Sequence, residues 1–250
     1  MSTDTGIDME KFRLRPLVER LIEMGEVEVH DEPVALSDLS TIIENSSKAV
    51  LFRKAGPEQV EMVGSVAGSR SRVAAAFGVA PDELVGELQS RLGNPQPIQE
   101  VTRDEAPVQQ VVLEGDEADL SKLPFHPQHQ FDGGTYISSA IDFSVDPQTG
   151  RTNVGCRRLS LRGRHEAMTN VTAPSDLREI YKGCVERGEP LTVNFTVGSH
   201  TLDFMAACMK MPTDEDTLLG TLRGEPVPMV KAVSNDLRVP ADAEIIIEGY

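Results

Sequence analysis

Apolar side chains recur at helical spacing at Phe12, Leu17, Leu21 and Met24, with Val18 and Ile22 beside them, and Gly25 follows as a C-terminal stop. The pattern predicts an amphipathic opening helix over about 9–24. Alternation at Val27-Glu28-Val29-His30 predicts a strand, Ser37 is placed to cap a helix through Ile42 and Ile43, and Ala49-Val50-Leu51-Phe52 reads as a compact buried strand. A strand over 60–66 comes next, then a helix from a Ser69 cap to Gly78. Pro81 opens another helix, through Leu84, Val85, Leu88 and Leu92 to Gly93. Helix and strand thus alternate to about residue 105, an α/β or α+β pattern.

The pattern changes between Asn94 and Gly134, a stretch rich in Pro, Gln, Asp and Gly. It offers one strand, Val108 to Leu113, and an acidic run, Glu114 to Asp119, expected to be solvated on an interdomain crossing. Beyond it, strands are predicted over 135–143, 152–161, 167–172, 191–197, 229–233 and 243–248, with one clear helix at about 175–187. Many short strands with few helices suggest an antiparallel barrel. The expected organisation is α+β in two domains: an N-terminal α/β domain over 1–105 and a β-barrel domain over 106–250.

Composition narrows the function classes. The 250 residues are 39% hydrophobic and 26% charged, ordinary for a globular chain, and no apolar run nears the roughly 18 residues of a bilayer span. Met1 to Asp8 has neither a basic nor an apolar segment of a secretory signal, so the expected location is cytoplasmic. Cys156, Cys184 and Cys208 are odd in number and far apart, which argues for reduced thiols over a disulfide framework or a structural zinc site. A net charge of -16 disfavours nucleic acid and anionic membranes as partners. A phosphorylated ligand would need a local cation against that field.

Several segments, in order, resemble the UbiD family of decarboxylases. They are Asp116 to Pro124, Asp132-Gly133-Gly134-Thr135-Tyr136-Ile137, Asp146 to Arg158 with its Gly150-Arg151-Thr152-Asn153 core, Gly220 to Val227, and Val239 to Gly249. No one of these is specific alone, since D-G-G and G-R-T-N are common turn chemistry; their order and spacing are. The resemblance covers nearly the whole chain. It implies an α/β amino-terminal domain, a central split β-barrel that binds prenylated FMN, and a carboxy-terminal dimerising domain that this chain lacks. It also implies a homo-oligomer formed through that domain.

The resemblance further implies roles for individual residues. Asn153 and Glu215 would hold a divalent metal, typically Mn2+, that bridges to the flavin phosphate, with K+ as a further candidate cation. Hard oxygen donors suit such ions. The alternative for Asn153 is a turn asparagine that bonds locally. Glu215 is flanked by Asp214 and Asp216, so a neighbour could take its place, or the run could be a solvated acidic helix start.

Arg158 is the implied catalytic arginine, whose fork suits a substrate carboxylate; it also counts among the cofactor contacts. Arg157 and Arg158 must point to opposite faces of a strand, and the family register selects Arg158. Gly155, Cys156, Thr172, Cys208 and Met209 are the other implied cofactor contacts, although a Met in this context is more often core. The family's ligand histidine falls on Ala173, which cannot coordinate; the alternatives are Asn170 or Thr172 as a partial substitute, water in its place, or weakened metal and cofactor binding. Two family glutamates that work with the arginine in proton transfer would lie beyond Tyr250.

The activity implied by the resemblance is a non-oxidative, reversible decarboxylation of a small aromatic or α,β-unsaturated carboxylic acid, with the 250 residues alone a poor enzyme. Two rivals stand beside it: a noncatalytic flavin-binding or assembly subunit, and a cofactor-free interaction module.

Overall fold

The structure is a computed structural model that describes residues 6–171, 174–211 and 214–250. The amino-terminal part begins with α1 (Leu14–Glu23), whose Leu17, Val18 and Leu21 are buried, followed by β1 (Val27–His30) and α2 (Leu39–Asn45). Next come β2 (Ala49–Ala55), β3 (Val60–Gly64), α3 (Arg70–Phe77) and α4 (Leu84–Leu92). β1 pairs parallel with β2, and β2 antiparallel with β3, in a small sheet. The ends of α3 follow local chemistry. Ser69 Oγ accepts the Arg72 amide at 3.2 Å, and Gly78 closes the helix at φ 78, where a side chain would be strained.

β4 (Ile98–Glu100) carries the chain to β9 (Val227–Lys231), with which it pairs in parallel, and β10 (Arg238–Pro240) completes that three-stranded sheet. The strand expected over 108–113 is not formed. Residues 107–109 make a 3-10 turn, the Val108 amide donates to the Ala241 carbonyl, and Val111 and Leu113 are exposed. The turn uses Pro107, which cannot donate to a ladder. Residues 114–117 of the acidic stretch are exposed, as expected of a solvated run, but its end is not: the Asp119 side chain is largely covered, and the Arg164 guanidinium reaches Asp119 Oδ2 and the Asp116 carbonyl, each at 2.9 Å.

The central feature is a curled five-stranded antiparallel sheet, an open half-barrel of order β11-β8-β5-β6-β7. Its strands are β5 (Tyr136–Val145), β6 (Thr152–Leu161), β7 (Ala167–Thr169), β8 (Val193–Val197) and β11 (Ile245–Gly249). α5 (Asp176–Arg187) connects β7 to β8, and Ser175 caps it by accepting the Arg178 amide. Two further helices, α6 (Thr201–Ala207) and α7 (Glu215–Arg223), lie on one face of this sheet. They are absent from the sequence expectations, and in both of them polar side chains are buried, Asp203, Thr221 and Arg223 included, so polar positions do not mark a solvent face.

The largest apolar cluster joins Ile141, Phe143 and Val154 of the sheet to Leu202, Leu218, Leu219 and Leu222 of α6 and α7. Phe12, Ala74, Phe77 and Leu84 from the first hundred residues enter the same cluster, so the core runs across the 105/106 boundary. Each fully buried leucine there contributes about 1.5–3 kcal/mol.

Candidate functional site

Parity on the β5–β6 ladder sorts the site. Ser144 faces Asn153, Asp142 faces Gly155, and Ala140 faces Arg157, so these six share one face of the sheet. Val154, Cys156 and Arg158 lie on the other, where Val154 and Cys156 meet α6 and α7. Asn153 and Arg158 therefore point to opposite faces, and it is Arg157 that stands on the side of Asn153. Opposite Arg158 the ladder shifts register: two residues of β5, Ser138 and Ser139, oppose this one residue of β6. Arg158 is exposed, with its guanidinium 5.6 Å from the centre of the Tyr136 ring.

On the first face Asp142 is fully buried between Asn153 and Arg157. Its Oδ2 accepts the Asn153 side-chain N–H at 3.1 Å, and its Oδ1 lies 3.4 Å from Arg157 Nε without hydrogen-bond alignment. Burial pushes the Asp142 carboxyl up to about 7, against the pull of Arg157, with the nearby Glu215 adding to the rise. Because Asp142 takes the Asn153 amide N–H, Asn153 Oδ1 is the atom left for the cleft. A Cβ at Gly155 would come within 3.1 Å of Asp142 Oδ1, so glycine keeps the cluster tight.

Glu215 sits at the start of α7, as an acidic helix start would, but its carboxylate is turned to the sheet. Its Oε2 accepts the Val154 amide at 2.7 Å, next to Asn153 in sequence. Asn153 and Glu215 line one cleft of about 380 Å³, together with Arg151, Thr149, Asp176 and Arg187. Among the described residues no group of three or more His, Cys, Asp or Glu could hold a metal ion, so the oxygen pair of Asn153 and Glu215 is a partial donor set. Thr172 and Ala173 lie outside the described residues. His165 lines a different and larger cavity of about 1360 Å³, walled by Leu159, Phe195, Tyr181 and Ile247, and among the described residues none of the expected cofactor contacts borders it.

On the second face Cys156 Sγ lies 3.3 Å from Cys208 Sγ and donates to the Phe204 carbonyl at 3.5 Å. Cys208 is exposed at the end of α6, and Met209 packs half-buried against the main core. The structure thus brings together Asn153 with Glu215, and Cys156 with Cys208, while Arg158 follows Cys156 along one side of β6. Asp142 and Arg157 are the participants that sequence reasoning missed. The signal that could have found them was a carboxylate inside the apolar run Ala140-Ile141-Asp142-Phe143.

Among the described residues no helix is long and apolar enough to cross a membrane. Two family models match the chain. The 3-octaprenyl-4-hydroxybenzoate carboxy-lyase N-terminal domain covers residues 18–92, and the Rift-related domain of the same carboxy-lyase covers residues 99–250. Among solved structures, an evolved dimeric form of the UbiD-class enzyme HmfF from Pelotomaculum thermopropionicum, in complex with prFMN, is similar with a TM-score of 0.88 and 28% identity, over 95% of this chain and 56% of that one. The same enzyme in complex with FMN gives 0.87 and 28%, over 94% and 54%. Vanillic acid decarboxylase of Sedimentibacter hydroxybenzoicus in its closed form gives 0.90 and 27%, over 95% and 54%. The chain spans a little over half the length of these structures. Matched by one family model over residues 99–250 and by its companion over 18–92, the chain belongs to the UbiD family of decarboxylases.

Proposed function

We propose that this chain holds prenylated FMN and a divalent cation for the non-oxidative, reversible decarboxylation of an aromatic or α,β-unsaturated carboxylic acid. The observation that carries the reading is the convergence of Asn153 and Glu215, from β6 and α7, on one cleft. The residues fit the group. An amide oxygen and a carboxylate are the hard donors that Mn2+ or a similar ion would take, so Asn153 and Glu215 would hold it. Arg151 and Arg187 at the same cleft suit a phosphate.

When bound, prenylated FMN supplies the electron sink that loss of carbon dioxide requires. The rest is the work of the chain's own side chains. Asp142 fixes the orientation of the Asn153 amide, and Oδ1 would then be the atom to hold a cation. Arg158, steadied over the Tyr136 face, offers a planar fork of donors to the substrate carboxylate. Cys156, Cys208 and Met209 furnish a polarizable wall beside it for a flat conjugated ring.

The test is production in cells able to prenylate FMN, followed by native mass spectrometry of the purified chain. We expect a mass for one prenylated FMN with one metal ion, and at least a tenfold loss of flavin occupancy in Asn153→Ala with its circular dichroism unchanged. Full flavin occupancy in that variant would overturn the metal assignment. Carbon dioxide release from a panel of aromatic and unsaturated acids then reads the reaction itself.

A further inference from the structure

Two of the three cysteines, far apart in sequence, meet at the proposed flavin face. Cys156 comes from the middle of β6 and Cys208 from the residue that ends α6, and the fold alone brings their sulfurs to 3.3 Å. That is roughly 1.3 Å longer than the ~2.05 Å of a disulfide. Cys184 is buried in α5, where its sulfur meets the Arg187 guanidinium at 3.4 Å, and it has no place in the pair. Cys208 is exposed and Cys156 half-buried, so a soluble oxidant reaches Cys208 first. Burial, and then the neighbouring Cys208, push the Cys156 thiol up, so Cys156 is not the sulfur that attacks first.

We propose that Cys156 and Cys208 form a reversible disulfide that fastens the end of α6 to β6 and so makes flavin loading depend on the thiol state of the protein. The gating half of this rests on the cofactor site proposed above; the bond itself does not. The electrons balance against a disulfide oxidant such as glutathione disulfide. Cys208 gives its proton to water and attacks one glutathione sulfur, expelling the other glutathione as thiolate. Cys156 then gives up its proton and attacks the Cys208 sulfur of the mixed disulfide, expelling the second glutathione. Two cysteines are oxidised and one glutathione disulfide is reduced to two thiols. The new bond ties Cys208, and Met209 behind it, to the strip of β6 that carries Cys156 and Arg158.

The experiment uses the reduced 250-residue chain, incubated with glutathione disulfide and then mapped by peptide mass spectrometry without reduction. Free thiols should fall from the three of the sequence to one, with a single linkage between Cys156 and Cys208 that dithiothreitol reverses. Cys184→Ser should form the same linkage, and Cys208→Ser none. A stable glutathione adduct on Cys208 with Cys156 free, or a linkage through Cys184, would overturn the pairing. FMN titration, followed by quenching of its fluorescence, should show at least a tenfold weaker Kd for the oxidised chain, restored on reduction. A linkage that forms while the Kd stays the same within threefold refutes the gating. Failure of the reduced chain to bind FMN counts against the cofactor reading instead, and the thiol map still decides the pair.

Discussion

Two buried charge clusters in this chain use the same residue types and are finished differently. In one, the Arg223 guanidinium of α7 makes four hydrogen bonds of 2.6–3.0 Å to Asp203 and Asp242, all three side chains being at most 2% exposed. Burial works against the charged guanidinium, but the two aspartates outweigh it and hold its pKa above the ordinary value. In the other, Asp142 has one oxygen on Asn153 and another that merely lies near Arg157, while Arg157 Nε and Ser144 Oγ are buried without partners. A saturated cluster can only hold the scaffold, here tying α6 and α7 to the segment before β11. The unsaturated one reaches the cleft of Asn153 and Glu215 only through Asn153 and leaves its other polar atoms buried without partners, at a cost in stability.

The largest expected effect tests that difference directly. Arg223→Met strands two buried carboxylates, which should remove about 3–5 kcal/mol of stability. At ~2–4 °C per kcal/mol for a chain of this size, the melting temperature should drop by roughly 10 °C. Arg157→Met should cost about 1 kcal/mol, because the guanidinium makes no aligned bond to Asp142 and that carboxyl can neutralise itself by taking a proton. Equal losses in the two variants, read by thermal denaturation, would dissolve the comparison.

The two regions should also answer pH in opposite senses. Asp142 has its folded pKa raised from 3.8 to about 7, so its contribution to stability is complete below about pH 4 and is lost as pH rises through 7. His200, which caps α6 beside the saturated cluster, is pushed down from 6.5 to about 3 by burial and then by Arg223 and Arg91. Its contribution is complete above about pH 6.5 and is lost as pH falls toward 3. Urea unfolding of the ligand-free chain should show Asp142→Asn gaining on wild type by on the order of 2 kcal/mol between pH 5 and 8. His200→Asn, which keeps a capping side chain, should blunt the acid loss between pH 6.5 and 4.5 by a similar amount. Parallel profiles for wild type and either variant would remove that group from the account.

What the sequence made legible was local. The Ser69 and Gly78 ends of α3, the helix expected over about 175–187 and the strands β5 and β6 are written in neighbouring residues and stand close to where expected. What it hid was long-range. α6 and α7 bury polar residues, Asp203, Thr221 and Arg223 among them, whose partners lie far off in sequence, and β4 pairs with β9, more than a hundred residues later. The apolar run 108–113 looked like a strand for want of any local sign that its backbone bonds go elsewhere. At the site, family likeness alone paired Asn153 with Glu215; nothing in either neighbourhood announces the other. The opposed faces of Arg157 and Arg158 followed from strand parity, but the tie of Arg157 to Asp142 needed the ladder register.

The smallest effects separate a constrained glycine from a free one. At Gly155, on the unsaturated cluster, an added Cβ meets Asp142 Oδ1 at 3.1 Å, and that oxygen is fully buried and cannot withdraw. Gly155→Ala should therefore cost about 1 kcal/mol or somewhat more through overpacking, and it should weaken flavin binding by disturbing the Asp142 hold on Asn153. Gly86, inside α4, has nothing within 4 Å of the same added atom and lies exposed. Gly86→Ala should raise stability by roughly 0.5–1 kcal/mol through helix propensity alone and leave flavin affinity untouched. If alanine is equally harmless at both positions, the Asp142 cluster has slack, and its grip on Asn153 is looser than the 3.1 Å bond implies.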